Sequence, residues 1–332
     1  MLFRSNLYVG LWKGPTEEQL AALKSAGMKC VCYQNETGLA HIDDETIVAW
    51  MHGDEPDNAQ SLGSGKGYGP PILPEKIIAD YERIRKADPS RPVFLNLGQG
   101  VAWDDYVGRG VRRNHPEDYA EYVKGGDIVS FDIYPVAHSK PEVKGNLWYV
   151  PHGVERLRGW AGPKRVVWNC IETTNISADT KATPTQMRSE VWMSLIHGSK
   201  GIIYFVHQFR PKSNEHALLD DPEMLAAVTD LNAQITRLAP VLNTPPDSQA
   251  AKAASSNAEV PVDISSHRVK NDLYVFAAAM RGNSTTARFT MKGFKSGTVE
   301  VIDEGRTIKV AGGAFDDAFE PWGVHLYRIS SK

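Results

Sequence analysis

The chain has 332 residues, 42% of them hydrophobic and 23% charged, with a formal net charge of −3. These are the proportions of a globular protein long enough for one large domain and one small one. The small charge, with no basic run interleaved with aromatics, removes the electrostatic case for nucleic acid or an anionic membrane as partner. No apolar run approaches the ~20 residues that a membrane-spanning helix needs.

In chain order, residues 7–12 (LYVGLW) read as a strand closed by Gly14-Pro15. Thr16 is placed to cap a helix over 17–25, whose first turn carries Glu17, Glu18 and Gln19 at its positive end. The next strand, 29–34 (KCVCYQ), alternates Cys30 and Cys32 toward one side as buried free thiols, and Cys170 sits inside another strand. Residues 47–51 are a short apolar strand running into His52-Gly53-Asp54-Glu55-Pro56-Asp57. Residues 58–73 are Gly-, Pro- and Ser-rich, yet their glycines fit neither nucleotide-binding fingerprint, so they read as a long loop shaping a cleft. A helix over 74–87 and a strand over 91–97 follow, then a loop with Trp103, Tyr106 and Arg109 and a short helix over 116–123. Strands over 127–134, 165–173 and 200–209 alternate with helices over 147–160, 184–197 and 222–238.

This makes seven βα repeats in about 240 residues, the pattern of a (β/α)8 TIM barrel with one strand not visible in the sequence. The barrel is expected over 1–243. Residues 244–258 (TPPDSQAAKAASSNA) read as a linker, and 259–332 as a small antiparallel β-sandwich with strands near 262–267, 272–280, 287–290, 297–301, 306–310 and 323–329. Residues 1–6 are too short and too polar for a signal peptide. A secreted or periplasmic location implies a leader outside this sequence; otherwise the chain is expected in the cytoplasm.

Pro56 cannot continue a central strand, which puts Asp54 and Glu55 at the C-terminal lip, where α/β folds hold their ligands. An isolated Asp-Glu-Pro is more often a solvated acidic turn. The second carboxylate, Glu172, ends an apolar strand three strands further on. Glycoside hydrolysis uses such a pair, ~5–5.5 Å apart in retaining enzymes. Asp132 and Tyr134 end the strand before Glu172. Trp12, Gln34, Asn96 and Trp103 close strands or open loops, where aromatics stack on sugar faces and amides bind hydroxyls. Trp50, Trp168 and Trp192 read as core.

The arrangement resembles the barrel glycoside hydrolases of clan A, which carry an acid/base at the end of strand four and a nucleophile at the end of strand seven. If the clan's first strand is absent here, the resemblance makes Glu55 the acid/base and Glu172 the nucleophile. Tyr134 then matches the tyrosine that hydrogen-bonds the nucleophile, and His207 and Phe209 fall where an aromatic floors the sugar site. One departure is Asp54, which stands where the clan usually has Asn; an ionised Asp accepts a sugar hydroxyl but cannot donate to it.

The expected activity is retaining hydrolysis of a β-linked oligo- or polysaccharide, with carbohydrate as the partner and no cofactor. Three rivals stand beside it. One is an inverting hydrolase or a transglycosylase on the same scaffold. Another is a non-catalytic carbohydrate-binding protein on a decayed barrel. The third is a metalloenzyme holding its ion with Asp54, Glu55, Asp132 and His207, although no HxH or HExxH spacing supports a metal site.

Overall fold

A computed structural model describes residues 5–11, 13–177 and 179–330. The chain divides into two compact units. The first comprises Met1–Tyr134, His152–Ile171 and Gly198–Phe205, and the second Pro135–Pro151, Glu172–His197 and Val206–Lys332.

The first unit holds a seven-stranded parallel sheet in strict chain order: β1 (Leu7–Val9), β2 (Lys29–Tyr33), β3 (Ile47–Met51), β4 (Val93–Leu97), β5 (Ile128–Phe131), β6 (Val166–Glu172) and β7 (Gly201–Phe205). Helices alternate with these strands: α1 (Glu17–Ser25), α2 (Glu36–Ala40), α3 (Pro74–Ala87), α4 (Tyr119–Tyr122) and α5 (Tyr149–Ala161). This is the expected barrel-like α/β fold. No eighth strand joins the sheet among the described residues, and β1 and β7 are its two ends. Thr16 caps α1 as expected, its hydroxyl accepting from Gln19 N (3.2 Å) while the Gln19 side chain accepts from Thr16 N (3.0 Å).

Strand side chains alternate between two cores, as the two-residue period of a strand requires. Val31, Ala49, Met51 and Phe94 pack with Ile128, Trp168 and Ile203 on one face. Cys30, Cys32, Ile47, Trp50 and Val93 pack on the other against Leu20 and Leu23 of α1 and Ile84 of α3. The cysteines are therefore buried on the helix side, as their spacing predicts. Trp50 is fully buried and donates through Nε1 to Asp88 (2.8 Å).

The second unit contains α6 (Pro184–Ile196), α7 (Pro222–Leu242) and one eight-stranded antiparallel sheet. Its strands are β8 (Ala251–Ser255), β9 (Val262–Val269), β10 (Asp272–Ala279), β11 (Thr285–Met291), β12 (Ser296–Val301), β13 (Arg306–Ala311), β14 (Ala314–Phe319) and β15 (Val324–Ser330), in the order β8-β11-β14-β13-β12-β15-β10-β9. All eight strands contribute to one apolar core, so the sheet is sandwich-like. Two of them differ from expectation. β8 forms inside the stretch expected as a linker, where Ala251 and Ala253 turn toward the core and pair with Met291 and Phe289 of β11. β14 comes from AFDDAF, in which Phe315, Asp317 and Phe319 are buried on one face while Asp316 and Ala318 are exposed, so the buried aspartate masks the alternation.

No flexible tether separates this sheet from α6 and α7. Arg188 donates to Val324 O (3.1 Å), Ser189 to Trp322 O (2.6 Å), and the Trp192 ring lies 5.2 Å from Phe276 while its Nε1 donates to Gln234 of α7 (3.0 Å). α6 is buried on several sides, so Ser189, Glu190 and Ser194 are enclosed along with Met187, Val191, Trp192 and Met193. Trp192→Ala removes a fully buried indole from this junction and is expected to cost about 3–5 kcal/mol. Urea denaturation followed by circular dichroism should show helix and sheet signals lost together at a lower midpoint. Sheet unfolding at the wild-type midpoint would show that the junction carries no stability.

Candidate active site

The face that packs Val31, Ala49, Met51, Phe94 and Ile128 continues, two residues at a time, past the ends of the strands. From β2 it reaches Tyr33, from β4 Asn96, and from β5 Ser130, Asp132 and Tyr134. β6 adds Cys170, β7 adds Phe205, and β3 leads through Gly53 to Glu55. These residues meet. Asn96 Nδ2 donates to Asp54 (2.9 Å), and Asn96 Oδ1 accepts from Ser130 Oγ (2.5 Å), which joins the lips of three strands. The Tyr134 ring lies 5.1 Å from Phe205.

At the centre are two carboxyl groups in hydrogen-bonding contact, Glu55 and Asp132. Burial pushes the Glu55 carboxyl up most, followed by the charge and hydrogen bond of Asp132 and then the charges of Asp54 and Asp57. Asp132 is also raised by burial, but its hydrogen bonds with Glu55 and Tyr134 work the other way and favour its anion. The shared proton therefore stays on Glu55, and Asp132 is the acceptor. Asp132 Oδ1 is buried and meets no donor among the described residues. Glu55 itself holds a left-handed backbone conformation (φ 44°), uncommon for a residue with a side chain.

Two tyrosines that sequence reasoning did not single out complete the cluster. Tyr106 hydrogen-bonds Asn58, and its phenol is raised by burial and by the charges of Glu55, Asp132 and Asp57. Tyr33 is 36% exposed, and its phenol is raised by burial and by the charge of Asp54. Trp103 joins through Tyr106, the ring centroids being 6.1 Å apart. Strand parity carried the signal for Tyr33, since it lies on the face of Val31. Gln34, which sequence reasoning proposed instead, lies on the face of Cys30 and Cys32. Its Nε2 donates to Ile84 O at the end of α3 (3.1 Å), which corrects its assignment to the sugar-binding face.

Of the other expected site residues, Asp54, Asn96, Asp132 and Tyr134 are in the cluster, and Trp12 lies outside the described residues. His207 belongs to the second unit, where its carbonyl accepts from Thr174 Oγ1 (2.5 Å). His52 is buried between Asp80 (3.0 Å) and Gly125 O (2.7 Å) and serves packing. Among the described residues no three His, Cys, Asp or Glu side chains converge as a metal set would.

Glu172, also in the second unit, is fully buried. Its Oε1 accepts from Val136 N (2.6 Å) and its Oε2 from Ala137 N (2.7 Å). Beside it stands Glu190 of α6, equally buried, whose carboxyl oxygens meet no N–H or hydroxyl donor among the described residues. Burial pushes Glu172 up to about 7 against the pull of the two backbone N–H groups, and Glu190 is pushed well above the ordinary range by burial and by Glu172. Two carboxyls sealed from water share a proton because neither site tolerates two negative charges. With both oxygens held by backbone and no exposed surface, Glu172 has no face to present to an anomeric carbon. This arrangement departs from the nucleophile role that the clan resemblance implies.

Solved structures share the fold. The chain is similar to a GH30 endoxylanase from Clostridium papyrosolvens C71 (11% identity, TM-score 0.52, 99% of this chain and 90% of that one). It is similar to AmyP in complex with maltotriose (11%, 0.55, 96% and 79%). A third is a GH27 β-L-arabinopyranosidase from Geobacillus stearothermophilus in complex with arabinose (10%, 0.50, 95% and 78%). At these identities the likeness is one of fold. No known protein family matches the sequence, and no curated protein does.

The Glu172–Glu190 pair predicts a pH dependence of stability. The unfolded carboxyls release their protons near 4.5, whereas the folded chain keeps Glu172 protonated to about 7 and Glu190 beyond it. The folded state therefore binds more protons through this window, and stability falls as pH rises across it. Glu190→Gln keeps a donor beside Glu172 and should flatten the slope. Melting temperatures of wild type and variant from pH 5 to 8 test this; parallel curves would dismiss the shared proton.

Proposed function

We propose that the chain is a glycoside hydrolase whose proton donor is Glu55. The carrying observation is the contact of the Glu55 and Asp132 carboxyls at strand ends lined by Tyr33, Trp103 and Tyr106, where burial and like charge favour a proton on Glu55. A barrel fold shared with solved glycosidases supports the reading by analogy. The substrate is a glycan, and the clan resemblance favours a β-linked oligo- or polysaccharide.

Without substrate the Glu55 O–H donates to Asp132. A glycosidic oxygen seated between them accepts that hydrogen bond instead, and its arrival opens the pair toward the ~5–5.5 Å separation of retaining enzymes. As the C–O bond breaks, the Glu55 proton goes to the leaving oxygen and the Asp132 carboxylate attacks the anomeric carbon, giving a glycosyl ester. Glu55, now ionised, takes a proton from water, and the water oxygen displaces Asp132, returning both groups to their starting states. Tyr134 donates to Asp132 and stabilises it as the leaving carboxylate. Tyr33, Trp103 and Tyr106 offer ring faces for sugar stacking.

The test is hydrolysis of aryl glycosides and polysaccharides by wild type, Glu55→Gln, Asp132→Asn and Glu172→Gln. Loss of about 10²–10⁴ in kcat/KM is expected for the first two. Azide rescue should give a product of retained configuration from a Glu55 variant and inverted configuration from an Asp132 variant. The same loss in Glu172→Gln at unchanged melting temperature, with inverted azide product, would return the nucleophile to Glu172. Tight glycan binding with no turnover by wild type would convert the protein to a binding module.

A further inference from the structure

We infer that Asp57 is the positioning residue of this site, fixing Glu55 and Tyr106 against the end of β4 through a buried polar hub. The inference rests on the proposed role of Glu55 for its kinetic readout only.

Asp57 lies two residues past Glu55 and is fully buried. Its Oδ1 accepts from Gly98 N (2.9 Å), the first residue beyond β4, and its Oδ2 from the Tyr119 hydroxyl (2.8 Å). Arg109 Nη1 stands 3.6 Å from Oδ2. Arg109 is itself 2% exposed, bonds Asp118 and lies over the Tyr119 ring (4.7 Å). The hub thus grips four segments: the 54–58 turn, the end of β4, the 103–112 loop and α4.

The first three carry parts of the site. Between Glu55 and Asp57 there is only Pro56, whose φ is fixed. The Glu55 carbonyl accepts from Asn58 N (3.1 Å), and Ala59 N donates to Gly108 O (2.8 Å), so the turn is bound to the loop of Tyr106. At the grip point a Cβ on Gly98 would come within 2.6 Å of the Asn58 side chain that bonds Tyr106 and displace it. With Asn96 holding Asp54 two residues earlier, the lips of β3 and β4 are joined on both sides of Glu55. A left-handed Glu55 persists only where its surroundings over-determine it, and the hub supplies that constraint.

Burial of a charged hub is a poor way to gain stability, since desolvation offsets the attraction. It is a good way to fix geometry, because an unsatisfied Asp57 or Arg109 tolerates few alternatives. The charge also reaches the reacting group. Glu55 faces Asp54 and Asp57 from its own turn, Asp132 and Tyr134 from β5, Tyr106 from the loop after β4, and Cys170 from β6. Among these, Asp57 is one of the charges that favour the proton on Glu55.

The variants are Asp57→Asn, which keeps an acceptor for Gly98 but removes the charge, and Tyr119→Phe, which removes one bond and is the milder lesion. Two readouts apply, kcat and KM on the glycan found above, and the titration of Glu55 by NMR of isotope-labelled glutamate carboxyls, assigned with Glu55→Gln. Asp57→Asn should lower kcat about tenfold to hundredfold with KM within about threefold. Its Glu55 midpoint and the alkaline limb of the pH profile should move down by about half a unit. Tyr119→Phe should lie between it and wild type. A merely structural hub would lower the melting temperature without moving the Glu55 midpoint, and that result overturns the inference. If no glycan is turned over, the midpoint still decides: a shift sustains Asp57 as positioning residue while the glycosidase reading fails.

Discussion

Like-charge crowding is the constraint the first unit is built around. Asp54, Glu55, Asp57 and Asp132 converge from one turn and one strand end, and four ionised carboxylates cannot share so small a volume. The surroundings divide them. Asp54 is solvent-exposed and receives the Asn96 amide. Asp57 receives Gly98 N–H, Tyr119 O–H and the field of Arg109. Asp132 receives Tyr134. Among the described residues no such donor reaches Glu55, so burial, with repulsion from the other three added to it, leaves it holding a proton. Glu55 is thus the carboxyl left to hold the proton in a group whose hydrogen-bond donors go to its neighbours.

The same constraint separates the two carboxyl pairs of this chain. Glu55–Asp132 and Glu172–Glu190 both crowd two acids and raise their pKa values, so a perturbed carboxyl alone does not identify a reacting group. Surroundings distinguish them. Glu55 and Asp132 are only half-buried, and tyrosine and tryptophan rings border them. Glu172 and Glu190 are sealed, and Glu172 holds the backbone of residues 136–137. The first pair can exchange its internal partner for a substrate oxygen. The second can lose its proton only by unfolding locally or at a cost in stability.

Much of this was legible in the sequence, and the rest was hidden for definite reasons. The apolar strands, Gly and Pro stops and capping threonines marked the parallel strands and most helices. Pro56 put Asp54 and Glu55 at a strand's end. Strand parity would have chosen Tyr33 over Gln34, because Cys30 and Cys32 already mark the helix side and Gln34 shares it. Arg109, Asp57 and Tyr119 had no such signal. They lie 62 positions apart at the widest, and only the closed polar hub shows what each is for. Glu172 looked like a lip carboxylate because its strand is apolar to the end. Its partner Glu190, in the middle of a run of mixed polar and apolar residues, becomes informative only once α6 is seen to be buried on several sides.

The boundary between the barrel repeats and the sheet that follows was obscured in the same way. A stretch rich in Ala, Ser and Pro reads as a linker because small residues give little periodicity. In β8 those alanines are an asset, since Ala251 and Ala253 fit beneath the large rings of the sheet core. Residue size was set by the space left between strands, which composition does not record. Compact packing then binds the sheet to α6 and α7 through Trp192, Arg188 and Ser189. Any change in the sheet is therefore felt by the two helices that follow the last strands of the barrel in sequence. That coupling makes the sheet part of the scaffold on which residues 172–197 and 206–242 are held, and gives the chain a reason to keep it that is independent of any ligand of its own.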